Sequence, residues 1–352
     1  MMFNLGQISI IPFFTSTLIS YFLTPLFIKL LWKLKIVDDP RSRSHANVIH
    51  EAPTPRGGGI VIFLSILISA LIFLPLDRHL VSILLGLLLI TVMGLIDDYL
   101  LSRKKGFSPY IRLAIQFAAA AIPIAAGIGI SFVSDPRGGI INLSPIISDL
   151  FALFWIVTLM NFVNIGAKGV DGQLTGVTII SALTIAILSL RFSADIAQWP
   201  VIILASITAG AFFGFFPYHV YPQKIMPSFS GSNIAGFMLA ILSILSTAKV
   251  GTLAVVLAVP LIDTGYVIVR RILSGKSPVW GDNSHLHHRL LSAGWKKSQV
   301  AIFYWAVTAI LGIIALNLNT QNKLYTIVGV AVFLGGLILW LTYRPKISSK
   351  ES

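Results

Sequence analysis

The sequence predicts an all-α, polytopic integral membrane protein of about eleven transmembrane helices. Two observations carry that reading. Of 352 residues, 56% are hydrophobic and only 11% are charged, against about 25% charged in a soluble domain. The apolar residues also run in stretches close to the length that crosses a bilayer as a helix, without the alternation of a β-barrel strand. Such a composition excludes a water-soluble globular enzyme, a disordered chain and an ordinary nucleic-acid binder. The absence of cysteine excludes a disulfide framework, a thiolate metal site and a Cys nucleophile.

The elements follow in order. Span 8–32 has no Lys or Arg before Lys29 and no small-residue cleavage site, so it reads as a helix and not as a removable signal peptide. The next loop carries VDDP and HEAPTPRGGG, and its three glycines lead into span 58–76. Span 80–100 ends in GLIDDYL, and span 112–133 begins within FSPYIRLAIQ. Span 147–166 ends in NFVN, and KGVDGQLTG leads into span 173–192. Span 197–217 runs into PYHVYPQKIMPSFSGS, where Pro217, Pro222 and Pro227 predict an irregular loop. Spans 231–248 and 250–270 precede the polar loop 271–299. Spans 300–318 and 323–343 and a tail, 344–352, complete a single membrane domain.

Charge gives the direction. Alternating spans place 21 of the 26 Lys and Arg residues on one side and five on the other. The basic side is expected to be cytoplasmic, with the N-terminus outside and the C-terminus inside an inner (plasma) membrane. The net charge of +13 is then topology signal, not a nucleic-acid footprint. Most helix middles are free of ionisable groups, which crowd the cytoplasmic face. That distribution suits a surface enzyme better than a transporter or flippase, which needs polar groups near the bilayer midplane.

Several polar clusters stand on that face. Asp97 and Asp98 are adjacent carboxylates at a membrane boundary, suited to a hard cation such as Mg²⁺; the bland alternative is a solvated helix end paired with Arg103 or Lys104. Asn161 and Asn164 lie one turn apart, followed by Lys168 and the glycine-flanked Asp171, where backbone amides have room to approach a phosphate. The alternative is a plain turn with a structural Asn pair. Asp282, His285, His287, His288 and Arg289 fall within eight residues; they suit zinc or, equally, a diphosphate met by donors and cations. His50 and Arg56 precede glycines at a helix start, an anion site or a basic membrane anchor. Asp263, inside an apolar span, reads as functional or as an internal ion pair with Arg270. His219 and Lys224 sit in the proline-rich loop, which by itself says little.

Together and in this order, over about residues 35–291, these motifs resemble the polyprenyl-phosphate N-acetylhexosamine-1-phosphate transferases (glycosyltransferase family 4). The arginine in PTPRGGG and the HLHH run look more like the GlcNAc-1-phosphate branch than the MurNAc-pentapeptide branch. The resemblance implies transfer of GlcNAc-1-phosphate from a UDP-N-acetylhexosamine to an undecaprenyl-type polyprenyl phosphate at the cytoplasmic face. UMP is released, and envelope polysaccharide synthesis begins. It implies Mg²⁺, with Mn²⁺ as the alternative, held by Asp97, Asp98 and Asp171. It implies catalytic roles for Asp97, Asp98, Asp263, His285, His287, His288 and Lys168. His50, Arg56, Asn161, Asn164, Asp171, His219, Lys224, Asp282 and Arg289 would bind substrate, and a homodimer is the expected assembly.

Two positions depart from the family pattern. In NxxNxxDGxDG the first acid is replaced by Ala167, the loop is one residue longer, and Lys168 follows. In GDxGS the acid is replaced by Phe229, leaving SFSGS. Retention of so many other polar residues points to a rebuilt site in preference to a non-catalytic lipid-binding relative. Lys168 is expected to stand in for part of the lost metal site as a point cation near the diphosphate, weakening the need for Mg²⁺.

Overall fold

In the computed structural model the described residues are 5–40, 52–135, 139–191, 198–246, 249–277 and 284–343. The elements in chain order are α1 (Leu5–Ile8), α2 (Ile10–Lys33), β1 (Val37–Asp38), β2 (Thr54–Pro55), α3 (Gly59–Phe73), α4 (Arg78–Ser102), α5 (Pro109–Ala125), β3 (Phe132–Ser134), β4 (Ile140–Asn142), α6 (Pro145–Gly166), α7 (Gln173–Leu190), α8 (Trp199–His219), α9 (Ser228–Leu245), α10 (Lys249–Val256), α11 (Ala258–Leu273), α12 (Leu286–Ser292), α13 (Lys297–Ala315) and α14 (Thr320–Tyr343). Among the described residues, eight helices are long and apolar enough to cross a membrane.

Each predicted span falls on a helix, with three corrections. Segment 250–270 is two helices, α10 and α11, bent by 83°. Helix α5 stops at Ala125, after Pro123 breaks the amide ladder, and β3 and β4 then pair antiparallel. The proline-rich loop is shorter than expected: α8 continues through Pro217 to His219, and α9 begins at Ser228. Pro217 removes one amide bond near the end of α8, which stops two residues later at His219, and Pro227, with φ fixed near the helical value, starts α9.

Packing follows from small residues. Along α2, Ile10, Phe14, Leu18, Phe22, Leu26 and Leu30 recur every fourth residue and are exposed, a stripe suited to lipid. The other face, Ser16, Ser20 and Thr24, is buried against Gly210 and Gly214 of α8. A Cβ added at Gly210 would lie 2.2 Å from the Phe13 carbonyl oxygen, and one at Gly214 2.2 Å from that of Thr17. With hydrocarbon on the outside, such close approach is what holds helices together in a bilayer. Gly214→Leu is therefore expected to cost about 3 kcal/mol by forcing α2 from α8, measured as a fall in unfolding temperature in detergent micelles.

Helix α9 is the buried centre, lying against α3, α4, α6, α7 and α8. Glycines let its first turn be gripped tightly. A Cβ at Gly94 of α4 would stand 2.5 Å from Ser230 Cβ, and one at Gly59 of α3 2.4 Å from Gly231 N. This contact brings the end of α4, the start of α3 and the start of α9 to one point. The β1–β2 pair, with Val37 opposite Pro55 and Asp38 opposite Thr54, closes over it.

Candidate active site

At that point Asp97 and Asp98 are fully buried in the last turns of α4. Two adjacent carboxylates there are costly unless cations offset them, and three cations arrive from distant segments. Asp97 Oδ1 accepts the Phe107 backbone N–H at 2.7 Å and Arg112 Nη2 at 3.2 Å. Arg112 Nη2 also lies 3.0 Å from Asp97 Oδ2. Arg112, not Arg103 or Lys104, is thus the cation of the double-Asp motif; Arg103 instead lies 4.5 Å above the Tyr99 ring. Arg56 donates to Asp38 Oδ2 at 2.6 Å and holds Nη1 3.8 Å from Asp98 Oδ1. Lys168 Nζ donates to Asn164 Oδ1 at 2.7 Å, to the Ser228 carbonyl at 3.4 Å and to Ser232 Oγ at 3.5 Å.

Asp38, Arg56, Asp97, Arg112, Asn164 and Lys168 line a cleft of about 370 Å³ together with Asp171, His219, Gln223 and Phe229; Asp98, without exposed surface, does not line it. The Arg112 guanidinium sits 5.5 Å above the Phe229 ring, so an aromatic face occupies the place where the resemblance leads one to expect a carboxylate. Burial pushes the Lys168 ammonium down to about 8, opposed chiefly by the Asp98 carboxylate. Asp171 Oδ2 accepts the Gln223 backbone N–H at 3.3 Å. Thr175 donates its hydroxyl hydrogen to the Gly172 carbonyl, so His219 Nδ1 donates to Thr175 Oγ1, at 3.1 Å. The other ring nitrogen, Nε2, is left for a ligand.

The loop from Lys168 to Asp171 is fixed from two sides. Gln173 Oε1 accepts the amides of Gly169 and Val170 at 3.2 and 3.1 Å, while its amide donates to the Gly166 carbonyl at 3.0 Å. Gly172 takes φ +81°, a backbone that favours glycine, and its carbonyl accepts Trp305 Nε1 of α13 at 3.1 Å.

Several residues expected at the site have other employment. The Gly169 and Val170 amides, held by Gln173, do not face a phosphate. Near Arg56, the Gly57 amide donates to Ser228 Oγ at 3.1 Å and the Gly58 amide to the Met226 carbonyl at 2.9 Å. The glycines there serve close packing, not anion binding. Asn161 donates to Gln116 Oε1 at 2.7 Å, and Gln116 donates to Asn233 Oδ1 at 2.7 Å. It belongs to a network joining α5, α6 and α9, and only Asn164 of the pair lines the cleft. Lys224 points its ammonium toward the Tyr218 ring, 6.0 Å away, and does not line the cleft.

The histidine segment backs the cleft without lining it. Asp263, fully buried, accepts His285 Nδ1–H at 3.0 Å and the Leu286 backbone N–H at 2.8 Å. It caps α12 and orients His285, and it makes no ion pair with Arg270. His285 and His287 stack at 5.7 Å, and His288 lies 4.3 Å from His287. A Cβ at Gly169 would lie 2.3 Å from the His287 ring, so this segment presses on the Lys168 loop. Burial, then the charges of His288 and His285, hold His287 well below the ordinary histidine value. This favours the neutral ring, one of the forms the sequence reading left open. Arg289 Nε donates to the Ser284 carbonyl at 2.7 Å. His50 and Asp282 lie outside the described residues.

Among the described residues no three acids or histidines converge to hold a metal ion; Asp97 and Asp171 line the same cleft. Asp98 fits a hard cation. Both its oxygens are buried and accept no hydrogen bond, and Mg²⁺ accepts one or two carboxylates completed by phosphate oxygens and water. Asp97 is already neutralised by Arg112.

Asp38, Arg112, Gln173 and Phe229 were not picked out as site residues by their sequence context. Arg112 left a signal, a cation four residues into an apolar helix; Asp38 stood in VDDP, and Phe229 was marked only as the replacement of an acid.

The family model for glycosyl transferase family 4 matches residues 80–247. The chain is 31% identical over 356 residues to the decaprenyl-phosphate N-acetylglucosaminephosphotransferase of Mycobacterium leprae (strain TN), covering 91% of this chain and 87% of that one. It is 28% identical over 330 residues to the probable undecaprenyl-phosphate N-acetylglucosaminyl 1-phosphate transferase of Bacillus subtilis (strain 168), covering 89% and 86%. Similarity to the phospho-N-acetylmuramoyl-pentapeptide-transferase of Staphylococcus epidermidis (strain ATCC 12228 / FDA PCI 1200) is 29% over 323 residues, covering 85% and 95%.

Proposed function

The chain belongs to glycosyl transferase family 4, and on that premise we propose how it acts. It is a multi-pass membrane phosphotransferase that moves N-acetylglucosamine 1-phosphate onto a polyprenyl phosphate. The donor is a UDP-sugar, and UMP leaves. The observation that carries this reading is the buried Asp97–Asp98 pair facing Arg56, Arg112 and Lys168 at one end of an apolar bundle. The transporter and lipid-binding alternatives ask for no such cluster.

Eleven spans, with the cleft at the cytoplasmic face of the inner membrane, agree with the charge count. Asp38 and Arg56 line one cleft with residues from around 97–112, 164–171 and 219–229, all assigned to the basic side. The chain acts as one domain, since α13 supports the Lys168–Asp171 loop through Trp305. A homodimer is the expected assembly.

A lipid phosphate oxygen attacks the sugar-proximal phosphorus of the UDP-sugar. The new phosphoanhydride forms as the old one to UMP breaks. A phosphate monoester, with its second pKa near 6, is already mostly ionised at pH 7. The protein therefore supplies position and charge neutralisation more than a base. Arg112 holds Asp97 in place, and Arg56 joins β2 to Asp98. Lys168 meets developing negative charge, while Asp171 and His219 offer acceptors to the nucleotide. Mg²⁺, when bound at Asp98, would neutralise phosphate oxygens.

Purified protein with UDP-GlcNAc, polyprenyl phosphate and Mg²⁺ should release UMP in step with lipid-linked product. Sugar movement across vesicles without UMP release would overturn the reading. The rate should also fall as pH rises through about 8, as the Lys168 ammonium loses its proton. Asp98, Asp97, Arg56 and Arg112 are the charges that face it. Lys168→Arg should move that limb above pH 10, because guanidinium stays charged throughout; an unmoved limb would assign it to another group.

A further inference from the structure

Charge pairing in the cleft singles out one cation. Arg56 is matched by Asp38 at 2.6 Å and Arg112 by Asp97 at 3.0 Å. Lys168 differs: its three hydrogen bonds all go to neutral oxygens, of Asn164, Ser228 and Ser232. Two of the three are long, at 3.4 and 3.5 Å, so the ammonium keeps capacity to donate. Its acceptors stand on two packed helices, α6 and the first turn of α9, which fix the charge before any ligand arrives. A cation beside a helix N-terminus is held against the helix dipole, and an arriving anion relieves both.

The glycine loops offer little competition for that anion. The amides of Gly57, Gly58, Gly169 and Val170, which lie around the cleft, already donate to protein oxygens. An anion in this part of the cleft is then met by the side-chain cation Lys168 and by the first-turn amides of α9, at Ser228 and Phe229, which line the cleft.

We infer that Lys168 anchors the diphosphate of the nucleotide-sugar, so that a nucleoside diphosphate binds here without a divalent cation. This rests on the transferase reading and extends it from turnover to ground-state binding. A divalent cation, when bound, would then serve the chemical step, and nucleotide recognition would not depend on it.

The test uses full-length protein in detergent micelles, with UDP as the probe, titrated calorimetrically in EDTA and in Mg²⁺. The wild type should bind UDP with Kd values within about threefold of each other in the two buffers. Lys168→Met should weaken binding about tenfold or more in both, and Lys168→Arg should recover most of it. Loss of wild-type UDP binding in EDTA would overturn the inference, as would wild-type affinity in folded Lys168→Met. The EDTA comparison uses wild-type protein alone, so an unfolded variant leaves the test standing. UMP release reports separately on the reaction. Metal-free UDP binding without UMP release under any condition would sink the transferase reading and keep the anchor. UMP release with EDTA-abolished binding would do the reverse.

Discussion

Asp98→Asn is expected to lower kcat for UMP release by about 10³-fold and to leave the bundle folded. The side chain is fully buried, its two oxygens accept no hydrogen bond, and Arg56 Nη1 stands 3.8 Å away. That is a carboxyl group kept in an apolar place without full compensation, an arrangement that folding alone would not favour. Asparagine preserves the shape and removes the charge, so the unfolding temperature should hold or rise. Arg56 keeps its partner, Asp38, at 2.6 Å, so β1 and β2 are not released. The check pairs single-turnover UMP release with thermal unfolding of the same preparation. Activity within tenfold of wild type would take Asp98 out of the mechanism. Collapse of the fold would make its role structural.

Arg112→Ala should have the opposite balance, a large loss of stability that carries activity with it. Asp97 is fully buried and Arg112 is its cation; without it the carboxylate keeps only the Phe107 amide. Breaking a buried pair from one side costs about 3 kcal/mol, because the remaining charge is stranded. Arg112 is itself 30% exposed, which keeps the value at the lower end. Arg112→Lys should restore part of the loss, since charge returns without the flat group that lies over Phe229. A double-mutant cycle with Asp97→Asn separates the pair from the site. A coupling of about 2 kcal/mol is expected, and additivity would show that Asp97 does not depend on Arg112.

How much of this was legible beforehand varied by residue, for identifiable reasons. The helices were, because length and hydrophobicity act locally: the predicted segments fall on helices, and the errors lie where Pro123, Pro217 and Pro227 shift an end and where 250–270 breaks into α10 and α11. Asp97 and Asp98 stood out because two carboxylates in an apolar chain are expensive wherever they lie. The glycine loops misled. Their freedom is real, but Gln173, Ser228 and the Met226 carbonyl take the amides, and no local pattern names an acceptor that distant. Asn161 was expected to bind the nucleotide-sugar and Asp263 to act in catalysis or pair with Arg270; each instead bonds a side chain from another segment. Those partners, Gln116 and His285, are 45 and 22 residues away in sequence.

By itself, then, the sequence determined that this chain crosses a membrane many times and keeps its charge at one end. It also determined that the end holds carboxylates, cations and histidines of a phosphotransferase. Those properties depend on residue type and spacing, which transfer energies and helical geometry convert directly into structure. The tertiary structure decided which cation serves which acid. Close helix approach at Gly59, Gly94 and Gly231 and the β1–β2 pair bring together Asp38 with Arg56, Asp97 with Arg112, and Lys168 with neutral oxygens only. A pair interaction depends on distance in space, and distance between elements far apart in the chain is settled only when they pack.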